Sequence, residues 1–270
     1  MPPAADPAAV RRILETDRPW AVYALADLAP EYRAHAEWRL AAAGRPALLL
    51  IYRGFETPVL FAQGAAADLQ PLLAGIADEP RFYLSVRPEI PALLRARGSQ
   101  VRGEKRMWRM LLDARRFPSG GRHAVRLGPA DAVALARLYA DGAPAGEAPP
   151  FFHAGMLGSG VYYGIRQQGE LIAAAGTHVL APEESVAAIG NVYTRRDRRG
   201  RGLGSRVTAA VAAELLARGL PTIALNVEAA NPAIRIYERL GFARYCEYRE
   251  GIAIRPESLH TGNVRVPAEP

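Results

Sequence analysis

Arg195-Arg196-Asp197-Arg198-Arg199-Gly200-Arg201-Gly202-Leu203-Gly204-Ser205 is the stretch on which the fold turns. Residues 185–194 before it (SVAAIGNVYT) are rich in β-branched and small apolar side chains and predict a largely buried strand. After it, Leu203, Val207, Ala210, Val211 and Leu215 recur at helical spacing through Arg218, and Gly219 and Pro221 supply the stop. Glycines at 200, 202 and 204 leave a turn with no side chains to hold a ligand off. Its backbone N–H groups can converge on an anion at the positive end of the helix. Five arginines within residues 195–201 add positive charge around that turn. This is the chemistry of a phosphate site, although a solvated basic face or a nucleic-acid patch would use the same arginines.

Spacing narrows the choice. A P-loop needs a lysine after its second glycine, and the one lysine of the chain is Lys105. A dinucleotide fingerprint runs Gly-x-Gly-x-x-Gly, whereas these glycines run Gly-x-Gly-x-Gly. What stands here is Arg199-x-x-Gly202-x-Gly204, which resembles the pyrophosphate loop of the GNAT acetyltransferase superfamily. Farther on, a predicted strand at 222–227 is followed by Asn231-Pro232-Ala233-Ile234-Arg235-Ile236-Tyr237-Glu238-Arg239-Leu240-Gly241-Phe242. Its ending, Tyr-x-x-Leu-Gly-Phe, is similar to a helix of the same superfamily.

The resemblance implies an α/β fold with a mixed sheet and acetyl-CoA as co-substrate, with no metal. It further implies transfer of an acetyl group to an amine by direct attack. Arg199, Gly200, Arg201, Gly202, Leu203, Gly204 and Ser205 would hold the pyrophosphate. Val192, Tyr193 and Thr194 would line the pantetheine arm, with Asn226 and Asn231 beside it. Tyr237 would protonate the departing sulfur. Asn231 stands six residues before Tyr237, one fewer than the usual superfamily spacing. Each motif also has a plainer reading. Gly241 serves equally as the residue closing a helix, Asn231 and Pro232 as an N-cap and first turn, and Tyr237 as a core residue beside Ala233, Ile236 and Leu240.

At 270 residues the chain is long for one domain and comfortable for two. The sequence shows no apolar run near membrane-span length and no secretory signal pattern, so a cytoplasmic location is expected. Its one cysteine, Cys246, reads as a buried strand residue, and the five histidines show no ligand spacing. The net charge of +7 invites a nucleic-acid partner. Apart from residues 195–201, however, the arginines are scattered, and no nucleic-acid motif appears. The expected partner is a small-molecule amine, with neither nucleic acid nor membrane, in a monomer or homodimer.

Residues 113–123 (DARRFPSGGRH) read as the boundary between two halves. The second reads strand 124–127, helix 130–141, a helical stretch at 151–157, strands 161–167 and 171–180, then the strand, loop and helix above. Strand 222–227, helix 232–240 and strand 242–249 close it. The first half shows a fainter version of that order: a hairpin at 46–64, helix 69–76, strand 81–86, helix 89–97 and strand 105–112. Where the glycine-arginine loop would fall it has only Gly64-Ala65-Ala66-Ala67. The expected division is 1–118, a degenerate GNAT-like domain, 122–255, a catalytic domain, and 256–270, a tail. Tandem GNAT proteins of the glycine N-acyltransferase-like and mycothiol synthase-like kind share this organisation.

The acceptor amine needs a base, because populating the free form of a lysine-like amine at neutral pH costs roughly 4–5 kcal/mol. Many superfamily members place a glutamate on the strand before the phosphate loop, but residues 186–194 contain no acid. Glu183, Glu184, Glu228 and His178 remain as candidates. Residues 143–157, with Phe151, Phe152 and Met156, and the turn at 182–185 would meet the acceptor. Two readings stay open: an N-acetyltransferase, and a non-catalytic acyl-CoA-binding or sensor module.

Overall fold

In the computed structural model, which describes residues 5–42, 44–76, 79–118 and 124–255, helices and strands alternate along the chain. The first part runs α1 (Pro7–Glu15), α2 (Val22–Ala26), β1 (Ala36–Leu40), β2 (Leu48–Tyr52), β3 (Val59–Gln63), α3 (Ala66–Ala74), β4 (Arg81–Val86), α4 (Ile90–Ala96) and β5 (Gln100–Leu112). The second runs β6 (Val125–Leu127), α5 (Ala132–Ala140), α6 (Met156–Ser159), β7 (Tyr162–Gln167), β8 (Glu170–Ala181), β9 (Val186–Thr194), α7 (Leu203–Ala217), β10 (Thr222–Glu228), α8 (Ile234–Arg239) and β11 (Phe242–Ile254). The mixed α/β class expected from the sequence is what the chain adopts. The end of the boundary segment, 119–123, and the tail, 256–270, lie outside the described residues.

Two compact units divide these elements. Among the described residues, one unit holds those up to Arg109, Val227–Asn231 and those from Arg244; the other holds those from Met110 to Asn226 and Pro232–Ala243. In the first unit the strand order is β1-β2-β3-β4-β11-β5. β2 pairs antiparallel with β1 and β3, and β3 runs parallel to β4. Leu49, Ile51, Leu60, Leu69, Leu73, Phe82 and Leu84 form the core between this sheet and its helices. Sequence reasoning passed over α1, α2 and β1. Yet α1 carries a clear start signal, with Pro7 in its first turn and the Asp6 carboxylate accepting from Ala8 N–H at 3.0 Å.

One expectation fails here. The strand from 242 was expected to close the second half, but β11 pairs antiparallel with β4, from Arg249 opposite Val86 to Ile254 opposite Arg81. A strand's residue pattern tells which face is buried and leaves its neighbour unspecified, and β4 needs a partner on the side away from β3.

In the second unit the strand order is β10-β9-β8-β7-β6. β6, β7, β8 and β9 pair antiparallel in sequence order, whereas β9 and β10 run parallel. α5 packs on one side with a core of Leu127, Leu135, Leu138, Tyr162, Leu171 and Ala174. In place of the expected helical stretch at 151–157 stands the single turn α6, with Gly155 before it and Gly160 after it. The expected helix at 232–240 narrows to α8, whose N-cap residue is Ala233.

Candidate active site

The turn after β9 has the form its glycines foretold. Gly200 and Gly202 sit at φ 76° and 70°, left-handed backbone in which an L side chain is strained. Gly202 is the N-cap of α7 and has no side chain to offer, and the first helical bond is Arg206 N–H to Gly202 C=O at 3.2 Å. The N–H groups of Leu203, Gly204 and Ser205 thus precede the helical ladder, at the positive end of a 15-residue helix. Leu203 is buried and anchors this end, and a Cβ at Gly204 would come 3.4 Å from Thr194 Oγ1, an ordinary contact.

The arginines divide, which the sequence did not foretell. Arg195 pairs with Asp197 and Glu170, Arg198 with Asp197, and Arg199 with Glu147. Arg199 Nε also donates to Thr194 C=O at 3.3 Å, so this side chain braces the loop. Arg196 and Arg201 are exposed and have no carboxylate partner among the described residues. Asp141, at the end of α5, ties the loop to the strand by accepting from Arg196 N–H at 3.0 Å and from the Tyr193 hydroxyl at 2.8 Å. Those bonds, the Arg196 N–H first, hold its carboxyl below the usual carboxylate range.

Beside the loop the sheet opens. The parallel ladder of β9 and β10 runs from Val186 opposite Thr222 to Ile189 opposite Leu225, and residues 190–194 continue past its end. Arg195 N–H donates to Ile172 C=O on β8 at 2.9 Å. By the alternation of antiparallel pairs, Tyr193 faces β8 in the same way, while Val192 and Thr194 turn their main-chain groups to the opposite, open side. Within this seam, Asn226 on β10 has an enclosed Oδ1 with no hydrogen-bond partner. Tyr237, on α8, is buried with its ring 6.3 Å from that of Phe242, and burial pushes its pKa up to about 12. Its hydroxyl makes no hydrogen bond among the described residues. Asn231 is exposed and is grouped with the first unit.

Two bulges set the phase of this edge. Gly190 stands opposite Gly176 and Tyr193 opposite Ala174, so Asn191 and Val192 together face Ala175. One turn of the ladder earlier, Ile189 stands opposite Thr177 and Ala188 opposite Val179, leaving His178 as the extra residue of β8. The two extra residues meet. Asn191, at φ 51°, donates its main-chain N–H to His178 Nε2 at 3.2 Å, and the same nitrogen lies 3.1 Å from Asn191 Oδ1. The Tyr139 hydroxyl donates to Asn191 C=O at 2.8 Å, and Asn191 Nδ2 donates to the Tyr162 hydroxyl at 2.7 Å. Loss of hydration drives the His178 pKa down to about 4, so the ring is neutral near pH 7. Asn191, Tyr162 and Tyr139 escaped the sequence reading. The available signal was one amide in an otherwise apolar strand, directly after a glycine.

Of the proposed bases, His178 alone belongs to this buried network. Glu183 is exposed, Glu184 is buried at the turn before β9, and Glu228 is exposed in the first unit. Phe151 stands edge-on to His178 at 6.3 Å, and Phe152 edge-on to Tyr139 at 5.0 Å with Met156 against the same core. Among the described residues, no group of three His, Cys, Asp or Glu side chains is placed to hold a metal, and no helix is long and apolar enough to cross a membrane.

Comparison with known proteins fits this geometry. Residues 162–250 match the family described as FR47-like protein. Mycothiol acetyltransferase from Streptomyces avermitilis is 41% identical over 88 residues, covering 31% of this chain and 27% of that protein. The one from Thermobispora bispora is 38% identical over 89 residues, covering 31% and 30%. The chain thus spans less than a third of the length of these curated relatives. A GNAT-family protein from Novosphingobium aromaticivorans superposes with TM-score 0.59 at 25% identity, covering 87% of this chain and 96% of that one. A tandem GNAT protein from the clavulanic acid biosynthesis pathway superposes with TM-score 0.53 at 17% identity, over 92% and 94%. The chain therefore has the fold of the GNAT acetyltransferases, with the FR47-like match lying in the part that carries the glycine loop.

Proposed function

We propose that the protein is an acetyl-CoA-dependent N-acetyltransferase acting on a primary amine of a small molecule or amino acid. The observation that carries this is the uncapped start of α7 behind two left-handed glycines, continuous with a strand edge whose ladder has ended. Phosphates would meet the N–H groups of residues 199–205, with Arg201 exposed beside them. The pantetheine arm would lie along Val192, Tyr193 and Thr194, where the orphaned Asn226 Oδ1 offers an acceptor for one of its amide N–H groups. The groups present fit such a ligand. The similarity to mycothiol acetyltransferases supports the same reading.

In this reading the amine nitrogen attacks the thioester carbon and the C–S bond breaks. The Val192 N–H would stabilise the oxyanion, a contribution typically worth ~3–4 kcal/mol. The Tyr237 hydroxyl would give its proton to the departing thiolate. The ammonium proton would leave through water. Residues 122–255 would form the catalytic domain and 1–118 a GNAT-like domain without a CoA loop. In the first unit, the helix at the matching place, α3, starts without a cap and carries Asp68 in its first turn, a charge that opposes phosphate. The setting would be cytoplasmic, the protein a monomer or homodimer without nucleic-acid or membrane partners.

The test is release of CoA thiol from acetyl-CoA with and without pooled amines, the acceptor of mycothiol acetyltransferases included. Release that requires one pool is expected. Tight acetyl-CoA binding with no release from any pool would favour the acyl-CoA-binding module, which the absence of a carboxylate on β9 also suits.

A further inference from the structure

A bulge leaves main-chain groups without ladder partners, and its position decides which residues face each side of the strand. In β9 both main-chain groups of the bulged residue are taken by side chains from other elements. His178 on β8 receives the Asn191 N–H at 3.2 Å, and the Tyr139 hydroxyl on α5 donates to the Asn191 C=O at 2.8 Å. Tyr162 on β7 takes the side-chain amide at 2.7 Å. The fit depends on the next residue back, since a Cβ at Gly190 would stand 2.2 Å from the His178 ring. His178 is itself the extra residue of β8, so each bulge is tied to the other. Were the β9 bulge to slip by one residue, Tyr193 would face the open seam in place of Val192.

We propose that His178 and Tyr139 are positioning residues that fix the β9 bulge at Asn191, so that the Val192 N–H is the one presented to the acyl group. The proposal deepens the acetyl-transfer reading and rests on it for the identity of the acyl group. The bulge position itself is independent of any ligand. Burial holds the Tyr139 hydroxyl in its protonated, donating form, consistent with this role.

The test uses the full chain with Tyr139→Phe, which removes one oxygen from a retained ring, with His178→Phe, and with His178→Gln, which restores an acceptor. Hydrogen exchange in the ligand-free protein reads the bulge. In the unmodified chain the Tyr193 amide is expected to exchange slowly and the Val192 amide quickly. Tyr139→Phe and His178→Phe should shrink that contrast at least ten-fold, and His178→Gln should recover part of it. With ¹³C-labelled acetyl-CoA, the carbonyl stretch of the bound thioester should lie lower in the unmodified chain than in the two Phe variants. Their kcat should fall at least ten-fold, with KM for acetyl-CoA within about two-fold. An unchanged exchange contrast in both Phe variants overturns the proposal, whatever the activity. A lost contrast with unchanged carbonyl stretch and kcat overturns its link to the acyl group. If the unmodified chain neither binds nor cleaves acetyl-CoA, the acetyl-transfer reading and that link fail, and exchange alone decides the bulge.

Discussion

Tyr237 and His178 are displaced from their ordinary titration ranges by burial, in opposite directions. A phenol pushed up to about 12 stays protonated throughout the working range, which suits a group that must give a proton. Tyr237→Phe is therefore expected to lower kcat at least ten-fold while acetyl-CoA affinity stays within about two-fold, as read by steady-state kinetics and calorimetry. Between pH 8 and 10 the unmodified protein should show no fall in kcat from loss of this proton. His178 bears on stability instead. Its folded pKa of about 4 lies below the 6.5 of a free imidazole, so between those values the unfolded chain binds a proton that the folded chain does not. Stability is whole above pH 6.5 and declines as pH falls toward 4, by roughly 3 kcal/mol if the shift is fully expressed. Urea unfolding across that window should show the decline, and His178→Gln should flatten it.

The glycine loop and the bulged edge separate what packing demands from what a ligand demands. At Gly202 the backbone is left-handed with open space around it, so Gly202→Ala should cost about 1–2 kcal/mol of stability along with affinity. Gly204 is different, being helical with only the Thr194 hydroxyl in ordinary contact. Gly204→Ala should leave the melting temperature unchanged or slightly raised, because alanine favours the helix by about 0.5–1 kcal/mol. It should nevertheless weaken acetyl-CoA binding at least ten-fold, since the new methyl stands where the phosphates would approach. Equal affinity for the variant, measured by calorimetry, would remove α7 from the binding site. These glycines were legible because turn, cap and helix are local features that sequence spacing encodes. The bulges were not, since an inserted residue declares itself only against the partner strand. Nothing in SVAAIGNVYT separates an Asn191 facing solvent from one whose main-chain N–H, C=O and side-chain NH2 are all bound. The division of the arginines was hidden for the same reason: Glu147 and Glu170 are remote in sequence from the cations they engage.

Over the whole chain, the arrangement of the strands bears on how the protein can be cut. A linear cut at 118 looks natural from the turn-rich segment around it, but the first unit takes in residues from 227–231 and from Arg244 onward. β11 is a strand of that unit's sheet, placed between β4 and β5, and Ala253 joins its buried core. A fragment of residues 1–118 would leave the inner edge of β4 without its antiparallel partner, and an unpaired strand edge beside an exposed apolar face is an invitation to aggregate. That fragment is expected to be insoluble or without a cooperative melt by circular dichroism. Adding a peptide of residues 242–255 in trans should restore strand signal and a cooperative transition, because it returns the missing ladder from Arg249–Val86 to Ile254–Arg81. A cooperative melt of 1–118 without the peptide would show that β11 is dispensable to the first unit. Residues 119–270 face the converse difficulty, since they retain β11 without the strand it pairs with. Loss of thiol release in that fragment would follow from the stray strand alone, so an activity assay on a simple deletion is no measure of the first unit's role.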